Sequence, residues 1–299
     1  MTHLAHQGPE AAPRATTGIL LYLGSILIFT LQDGITAHLA RHYPVPFFLM
    51  LRYWAFAAFA LAFAAGSRGG LAVNARSRRP VMQIVRGLIL VFEMGVFAFG
   101  LRYLQLAEIH ALFAANPLMV TALSVPFLGE IVRWRRWAAV IVGFVGVLII
   151  LRPGFGVFQP AALLGIACAA IYAAYTIMTK LVGRTDAFPT TYLYTAGFGA
   201  LAVSTIGPFF WSQPAPFDWL LIACLCVTGM SGHFLVIKSL EYAPASLLQP
   251  FTYLQLVSVT VVGFLAFGEI PDRMTIFGAA VIVASGLYIV WRERKLKTA

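Results

Sequence analysis

The stretch that decides the fold is LRYLQLAEIHALFAANPLMVTALSVPFLGEI, residues 101–131, which has a weaker copy, LEYAPASLLQPFTYLQLVSVTVVGFLAFGEI, at residues 240–270. Both copies end in Gly-Glu-Ile after a long apolar run, and Gly129 recurs as Gly268, 139 residues later. Five apolar stretches separate equivalent points of the two copies. Because an odd number of membrane crossings puts equivalent ends on opposite sides of a bilayer, the spacing predicts an inverted repeat.

The composition indicates an integral membrane protein. Hydrophobic residues make up 60% of the 299 residues and charged residues only 11%, whereas soluble domains average about 45–50% and about 25%. A chain of this kind has too little polar surface to remain dispersed in water. The predicted fold class is therefore all-α, with helices that cross a membrane.

Apolar runs of membrane-spanning length divide the chain into ten predicted transmembrane helices. They form two groups of five, so the predicted domains are a first five-helix repeat at residues 17–153 and a second at residues 160–292. Residues 1–16 are polar and rich in Pro and Ala, which predicts a disordered N-terminal tail. Residues 293–299 are predicted to be a cytoplasmic C-terminal tail. The predicted spans are 17–37, 46–65, 81–103, 107–128, 134–151, 160–181, 189–211, 217–238, 243–267 and 274–291.

Basic residues predict the orientation of these spans. With a cytoplasmic N-terminus, fifteen Arg and Lys residues lie in cytoplasmic segments and only four on the other side, namely Arg41, Arg102, Arg152 and Arg273. By the positive-inside rule this bias predicts that both termini are cytoplasmic. Attraction to anionic membrane lipids then accounts for the net charge of +10, so no nucleic-acid partner is expected.

Each half of the chain ends in a Pro-containing apolar run, a Gly-Glu pair and a Gly-rich helix, and in this it resembles the EamA domains of the drug/metabolite transporter superfamily. The pattern reads NPLMVTALSVPFLGEIVRWRRWAAVIVGFVGVLIILRP at residues 116–153 and YAPASLLQPFTYLQLVSVTVVGFLAFGEIPDRMTIFGAAVIVASGLYIVWR at residues 242–292. The resemblance implies a transporter of the bacterial cytoplasmic membrane that works by alternating access around a central cavity. Within the superfamily, the chain is most similar to bacterial exporters of aromatic amino acids. One departure is that Pro117 has Leu256 at the equivalent position.

Ionisable residues inside the predicted spans are the first candidates for a substrate site. Each costs on the order of 3 kcal/mol at mid-bilayer unless it is paired or hydrated. Glu93 lies at the centre of the third span, His233 in the eighth and Asp33 deep in the first. Each has two interpretations: a group that binds a proton, cation or substrate, or a group that forms a structural hydrogen bond between helices.

Neutral polar and aromatic residues are expected to complete the lining of the cavity. Two of them, Asn116 and Gln249, precede prolines that free a backbone carbonyl one turn earlier, and such breaks mark binding sites in transporters. We expect Pro117 and Pro250 to act as hinges. The predicted substrate-binding residues are Asp33, Glu93, Asn116, Tyr172, Tyr175, His233, Gln249, Tyr253 and Gln255.

The remaining buried charges are expected to be structural. Arg52 and Arg86 have stems long enough to carry their charge toward an interface, although contact with substrate stays open for both. Glu130 and Glu269, from the repeated tripeptide, are expected to cap or brace helix ends. The three cysteines lie inside apolar stretches at no metal-ligand spacing, so neither a disulfide nor a metal site is predicted.

These features predict a secondary transporter rather than an enzyme. The chain lacks the H-E-x-x-H, G-x-S-x-G and Walker A sequences, and no cofactor is expected. The leading hypothesis is export of a small organic metabolite, an aromatic or other amino acid, by a monomer or weak oligomer. One alternative is a drug or cationic-compound exporter of the same superfamily. Another is a membrane-embedded enzyme or accessory protein that acts on lipid intermediates.

The distribution of basic residues generates a topology prediction. The Arg78→Cys variant should react with a membrane-impermeant thiol reagent only from the cytoplasm, and the Asp218→Cys variant only from the outside. The measurement is side-specific labelling in right-side-out and inverted vesicles, with a variant lacking the three native cysteines as background. Labelling of Asp218→Cys from the cytoplasmic side alone would refute this topology.

Overall fold

The computed structural model describes residues 11–129, 134–151, 160–243, 245–248 and 251–297. Within these ranges the regular structure is entirely helical, which confirms the all-α class. The helices are α1 (Ala11–His42), α2 (Val45–Gly66), α3 (Gly70–Asn74), α4 (Pro80–Gly100), α5 (Leu106–Phe113), α6 (Asn116–Leu128), α7 (Trp134–Leu151), α8 (Ala162–Val182), α9 (Phe188–Ser204), α10 (Pro216–Tyr242), α11 (Ala245–Leu248), α12 (Thr252–Phe267) and α13 (Arg273–Lys297). A 3₁₀ turn, Gly207–Phe210, follows α9.

Six helical stretches are long and apolar enough to cross a membrane by length and composition. Each contains an apolar window of 18 residues, or about 27 Å at 1.5 Å per residue, which matches the hydrocarbon core of a bilayer. The multi-pass prediction is therefore confirmed, while the count of ten spans stays a prediction. The six stretches are Thr16–His42, Val45–Gly66, Pro80–Gly100, Leu106–Leu128, Ala162–Val182 and Pro216–Tyr242.

Several predicted boundaries differ from the structure. Helix α1 begins at Ala11, so residues 11–16 are helical rather than a disordered tail, and α13 continues to Lys297 through most of the predicted C-terminal tail. The predicted span 107–128 is divided into α5 and α6 by a turn at residues 114–115. Pro117 lies in the first turn of α6, where a missing N–H costs no helical hydrogen bond. The span 243–267 likewise contains two helices, α11 and α12.

The glycines of the repeated tripeptide end equivalent helices in the same way. Gly129 follows α6 with φ 71°, and Gly268 follows α12 with φ 66°, both in the left-handed region that glycine adopts without steric cost. The N–H of each glycine bonds back to the last turn of its helix, as in the C-terminal caps that stop a helix sharply. The repeat seen in the sequence is therefore also a repeat of backbone geometry at these two positions.

Several pairs of described helices run antiparallel, and each joins one half of the chain to the other. In α1 and α10, Gly18 lies beside Ala243, while His38 at the far end of α1 meets Asp218. The same reversed order of contacts appears in α4 with α8 and in α2 with α9. The contacts that show it are Arg86–Thr179 and Gly100–Leu164 for the first pair, and Trp54–Ser204 and Phe63–Phe188 for the second.

Other cross-half pairs run parallel. Helix α2 is parallel to α10, as shown by Leu51–Cys226 and Phe63–Phe234, and α4 is parallel to α9, as shown by Gln83–Thr191 and Gly87–Thr195. Helix α1 is parallel to α12, as shown by Tyr22–Thr252 and Gly34–Val262, and α6 is parallel to α8, as shown by Asn116–Ala169 and Leu128–Arg184. Helix α1 is antiparallel to α10, which is parallel to α2; α2 is antiparallel to α9, which is parallel to α4; and α4 is antiparallel to α8. Helices α1 and α8 therefore run in opposite directions. The first helices of the two predicted repeats therefore begin at opposite ends of the bundle.

Helices α7 and α13 pack through facing glycines. A Cβ atom added at Gly146 would lie 2.8 Å from the carbonyl oxygen of Gly278 and 2.8 Å from a side-chain carbon of Ile282. Helices in lipid associate through close packing of this kind, because lipid supplies no hydrophobic force to drive them together. Gly197 in α9, by contrast, has no neighbouring atom within 4 Å of such a Cβ.

This contrast predicts opposite effects for two glycine-to-alanine changes. Gly146→Ala should lower the thermal unfolding temperature in detergent, since backbone atoms of α13 must move and overpacking costs about 1–3 kcal/mol. Gly197→Ala should leave the temperature unchanged or raise it, because alanine favours a helix over glycine by about 0.5–1 kcal/mol. The measurement is a thermal melt of both purified variants. Equal stability of the two proteins would contradict the close packing of α7 on α13.

Candidate functional site

A polar cavity lies among the helices at the centre of the bundle. It is lined by residues from α1, α2, α4, α5, α8, α10 and α12, with a volume of about 80 Å³. A water molecule occupies about 30 Å³ in the liquid, so this space holds only a few waters. Pockets that bind metabolites of moderate size are usually about 300–1,000 Å³. A ligand of that size therefore enters only when the surrounding helices separate.

Two carboxylates face this cavity, and their surroundings differ. Asp33 on α1 accepts a hydrogen bond from Gln255 Nε2 on α12 at 2.9 Å, and Nε2 of His110 on α5 lies 3.1 Å from the same oxygen. Glu93 on α4 lines the cavity without a hydrogen bond or ion pair from its carboxylate to any part of the chain that the structure describes. Asp33 thus belongs to an interhelical network, whereas the Glu93 carboxylate is directed at the cavity and has capacity for a ligand.

Arg52 also lines the cavity, and its expected position near an interface is wrong. The side chain is buried, with its residue 4% exposed, and its Nη2 atom donates to Gln32 Oε1 at 3.0 Å. Gly229 on α10 makes room for it, since a Cβ there would lie 2.6 Å from Arg52 Nε. No carboxylate among the described residues lies within ion-pair distance of this guanidinium. One cavity is therefore lined by a guanidinium and by two carboxyl groups that do not pair with it.

Aromatic rings form the apolar walls of the cavity. His233 on α10 lies between Phe29 and Phe56, with ring centroids 5.1 Å and 6.0 Å away, and it stacks on Phe56 at 16°. Its Nδ1 atom is buried without a hydrogen-bond partner among the described residues. Tyr172 on α8 lines the cavity beside Phe113, whose ring centroid is 5.6 Å away. Flat rings and one unused nitrogen together suit a planar ligand that carries a polar edge.

Five predicted site residues lie on the cavity wall: Asp33, Glu93, Tyr172, His233 and Gln255. Three others do not line it. Asn116 donates to the carbonyl of Ala169 at 2.8 Å and ties α6 to α8, Tyr253 packs in an apolar cluster with Leu118 and Ile282, and Tyr175 faces Arg86. Gln249 and Pro250 lie outside the described residues. The hinge roles of Pro117 and Pro250 stay predictions.

Several residues that line the cavity are absent from the site predicted by the sequence. Besides Arg52, these include Gln32, His110, and the pair Tyr22 and Thr252, whose hydroxyls are 2.8 Å apart across α1 and α12. Gln32 adjoins Asp33 in sequence, and His110 is one of two histidines in the predicted spans, so both carried a signal. Tyr22 and Thr252 carried none, because each has only a neutral hydroxyl group.

An aspartate joins the two halves of the chain at each end of the bundle. At one end, Asp218 at the start of α10 accepts hydrogen bonds from Tyr43 Oη at 2.6 Å and binds His38 Nε2 at 2.8 Å. We name Asp218, His38 and Tyr43 the Asp218 lock. At the other end, Asp186 before α9 accepts from Gln83 Nε2 at 2.9 Å and from the Ser77 hydroxyl. We name Asp186, Ser77 and Gln83 the Asp186 lock.

The two locks are equivalent under exchange of the halves. The Asp218 lock joins the α1–α2 connection to the start of α10, and the Asp186 lock joins the α8–α9 connection to the start of α4. Partial burial raises the pKa of the Asp186 carboxyl, but hydrogen bonds from Ser77, Gln83 and the Arg78 N–H outweigh that effect and hold the pKa below its usual range. Asp186 is therefore ionised at neutral pH, which strengthens each hydrogen bond that it accepts.

Glu269 braces helix ends, as expected. One carboxylate oxygen accepts the N–H of Leu106 at the start of α5 at 2.8 Å, and the other pairs with Arg41 at the end of α1. A carboxylate at a helix N-terminus is stabilised by the unsatisfied N–H groups there. Glu130, its counterpart in the first half, lies outside the described residues.

Comparison with known proteins supports a transporter. The model of the EamA-like transporter family matches residues 16–152 and again residues 159–291. The chain is 30% identical over 220 residues to an S-adenosylmethionine uptake transporter of Rickettsia bellii, covering 74% of this chain and 76% of that protein. It is 29% identical over 236 residues to a riboflavin transporter of Vibrio cholerae, covering 76% and 77%. It is also 25% identical over 217 residues to the pseudopaline exporter CntI of Pseudomonas aeruginosa, covering 71% and 75%.

These relatives confirm the family expected from the sequence and correct a finer part of that expectation. They are named for S-adenosylmethionine, riboflavin and pseudopaline, so the similarity to exporters of aromatic amino acids is not supported. They are transporters, which removes the membrane-enzyme alternative. A crystal structure that is 22% identical aligns with a TM-score of 0.64 over 96% of this chain and 98% of its own, and it supports the fold.

Proposed function

Because the chain belongs to the EamA-like transporter family, we propose that it carries an amphipathic metabolite with an amino-acid head group and a large planar ring, with S-adenosylmethionine as the leading candidate. One observation carries this proposal: the central cavity brings the guanidinium of Arg52 and the carboxylates of Asp33 and Glu93 together under aromatic rings. A zwitterion that leaves water needs a partner for each charged end. This cavity offers both.

The balance of charge favours S-adenosylmethionine over a neutral ligand. With both carboxyl groups ionised and the histidines neutral, the cavity has one more negative than positive group, and S-adenosylmethionine has one more positive than negative group. Its carboxylate pairs with Arg52, and its ammonium and sulfonium groups lie near Glu93 and Asp33. The adenine ring then packs against Tyr172 and His233, whose Nδ1 accepts or donates a hydrogen bond at the ring edge. Relatives 30% identical that are named for this compound support the same choice.

An aromatic amino acid is the second candidate, because it has the same head group and a smaller ring. It lacks the extra positive charge and would leave one carboxylate without a partner in the cavity. Riboflavin fits the rings but would leave Arg52, Asp33 and Glu93 unpaired, and a simple cationic drug would leave Arg52 unpaired. Flux measurements on these compounds therefore separate the candidates by charge.

Alternating access is the mechanism that the architecture supports best. We infer two inverted five-helix repeats with ten spans, both termini cytoplasmic, in the cytoplasmic membrane of a bacterium. The supporting observations are the opposite directions of α1 and α8 and the helix contacts, which keep the same pattern when the halves are exchanged. In that mechanism the Asp218 lock closes the outer end of the cavity and the Asp186 lock closes the cytoplasmic end. A volume of about 80 Å³ then corresponds to a contracted state between openings.

Proteoliposome flux tests the proposal. Vesicles that contain the purified protein should accumulate more labelled S-adenosylmethionine than vesicles without protein. The rate should exceed the rate for riboflavin. Glu93→Gln should lower S-adenosylmethionine flux about 10-fold or more, since hydrogen bonds to charged groups contribute about 1.5–3 kcal/mol. The matched control is Glu241→Gln, which removes an acid that pairs with Lys238 on the surface, away from the cavity.

The direction of transport can be measured in the same vesicles by adding the labelled substrate either inside or outside. Riboflavin or phenylalanine flux above that of S-adenosylmethionine would contradict the charge argument and favour the competing substrate. Equal flux in wild type and Glu93→Gln, with Glu241→Gln also unchanged, would show that Glu93 does not bind the substrate.

A further inference from the structure

A second arginine lies inside the bundle, away from the cavity. Arg86 on α4 is 0% exposed and packs between α8 and α9. Its Nη2 atom donates to the carbonyl of Thr191 and the hydroxyl of Thr195, each at 2.6 Å, and its Nη1 atom to the hydroxyl of Thr179 at 3.2 Å. Gln83 Oε1 accepts from Nη2 at 2.9 Å. Every one of these acceptors is neutral.

No carboxylate of the described residues pairs with Arg86 directly. The closest connection runs through Gln83, which accepts from Arg86 and donates to Asp186 at 2.9 Å. A guanidinium that is desolvated without an anionic partner is costly in a membrane protein. A neutral side chain could tie three threonines together without that cost, so the charge itself needs an explanation.

Arg86 lies at an interface equivalent to the one that holds Arg52, although both arginines belong to the first half of the chain. Arg52 extends from α2 against α10, and Arg86 extends from α4 against α9. Exchange of the halves converts the α2–α10 contact into the α9–α4 contact, so the arginines occupy equivalent interfaces. Each lies about two turns from the start of its helix, roughly 10 Å along the axis, and α2 and α4 begin at opposite ends of the bundle.

Tyr175 separates Arg86 from the cavity. The Arg86 Cζ atom lies 5.3 Å from the centre of the Tyr175 ring, and that ring is 5.5 Å from the ring of Tyr172, which lines the cavity. Arg52 is therefore joined to the cavity in this conformation, while Arg86 is one aromatic ring away from it. In an inverted repeat, the opposite conformation exchanges the environments of equivalent interfaces.

We infer that Arg86 is a second carboxylate-binding position, used when the cavity opens to the cytoplasm, as Arg52 is used when it opens to the outside. The inference rests on the proposed function. The substrate carboxylate pairs with Arg52 on the outer side and with Arg86 on the cytoplasmic side, so the charged end has a partner in both conformations. Tyr175 moves aside when the cytoplasmic half opens. The class of ligand is an organic carboxylate that also carries a cationic group.

Side-specific kinetics with a matched pair of substrates test this inference. The pair is S-adenosylmethionine and its decarboxylated analogue, or phenylalanine and phenethylamine if the wild type transports the amino acid instead. We expect Arg86→Gln to raise the KM for the carboxylate substrate about 10-fold or more on the cytoplasmic side and to leave the outer KM within about twofold. Arg52→Gln should do the reverse. Neither change should raise the KM for the decarboxylated analogue.

Two further variants of the protein separate a binding role of Arg86 from a structural one. Arg76→Gln removes an exposed charge from the connection before α4 and should leave both KM values unchanged. Arg86→Lys keeps the charge, and it should retain more cytoplasmic-side affinity than Arg86→Gln if the charge binds the substrate. A purely structural Arg86 would lower the folded fraction or change both sides and both substrates equally, and that result would overturn the inference.

The wild type provides an independent measurement if no Arg86 variant folds. Removal of the substrate carboxylate should then raise the wild-type KM on both sides, because each conformation offers an arginine. A rise on the outer side alone would leave Arg52 as the binding residue and overturn the role of Arg86. Absence of flux for every compound in the wild type would instead contradict the proposed function.

Discussion

A charge held in hydrocarbon costs on the order of 3 kcal/mol or more unless protein groups or water replace its hydration shell, and among the described residues four Asp, Glu and Arg side chains are buried more than one turn from the ends of membrane-length helices. Asp33, Glu93, Arg52 and Arg86 are all buried. None pairs directly with another of the four through a described ion pair. Neutral amides, hydroxyls and carbonyls hold Asp33, Arg52 and Arg86 instead, while the Glu93 carboxyl group has no hydrogen bond among the described residues. The protein therefore keeps separated charges in its centre, which is costly for a scaffold and useful for a ligand with charges of both signs.

The inverted repeat that we propose explains how such a centre opens to either side. In that arrangement each half supplies the same helices in the opposite direction, and each end of the bundle is closed by an aspartate lock that joins the halves. The aspartate comes from a helix start in one lock and from a connection in the other. The locks are thus equivalent in position and different in chemistry. Two ends that differ in this way can respond differently to the same substrate, although the underlying geometry is shared.

The sequence predicted the class of fold well, because length, hydropathy and basic residues act on the chain locally. Five residues predicted for the substrate site lie on the cavity wall, since polar groups in apolar helices are rare and must face protein or water; they are Glu93, Asp33, His233, Tyr172 and Gln255. The sequence failed where contacts between helices determine which way a side chain points. Tyr172 and Tyr175 share one stripe of α8, yet the first faces the cavity and the second faces Arg86. Arg52 was misplaced because only the structure shows the space that Gly229 leaves for it.

The most direct test of the account is the distance across each lock in the working protein. Spin labels at His42→Cys and Gln213→Cys report on the Asp218 lock, and labels at Arg76→Cys and Ala187→Cys report on the Asp186 lock, in a background without native cysteines. With double electron–electron resonance in lipid, the account predicts that a transported substrate changes the two distances in opposite directions. Distances that lengthened or shortened together, or that stayed constant while the labelled proteins transported substrate, would contradict alternating access through these locks.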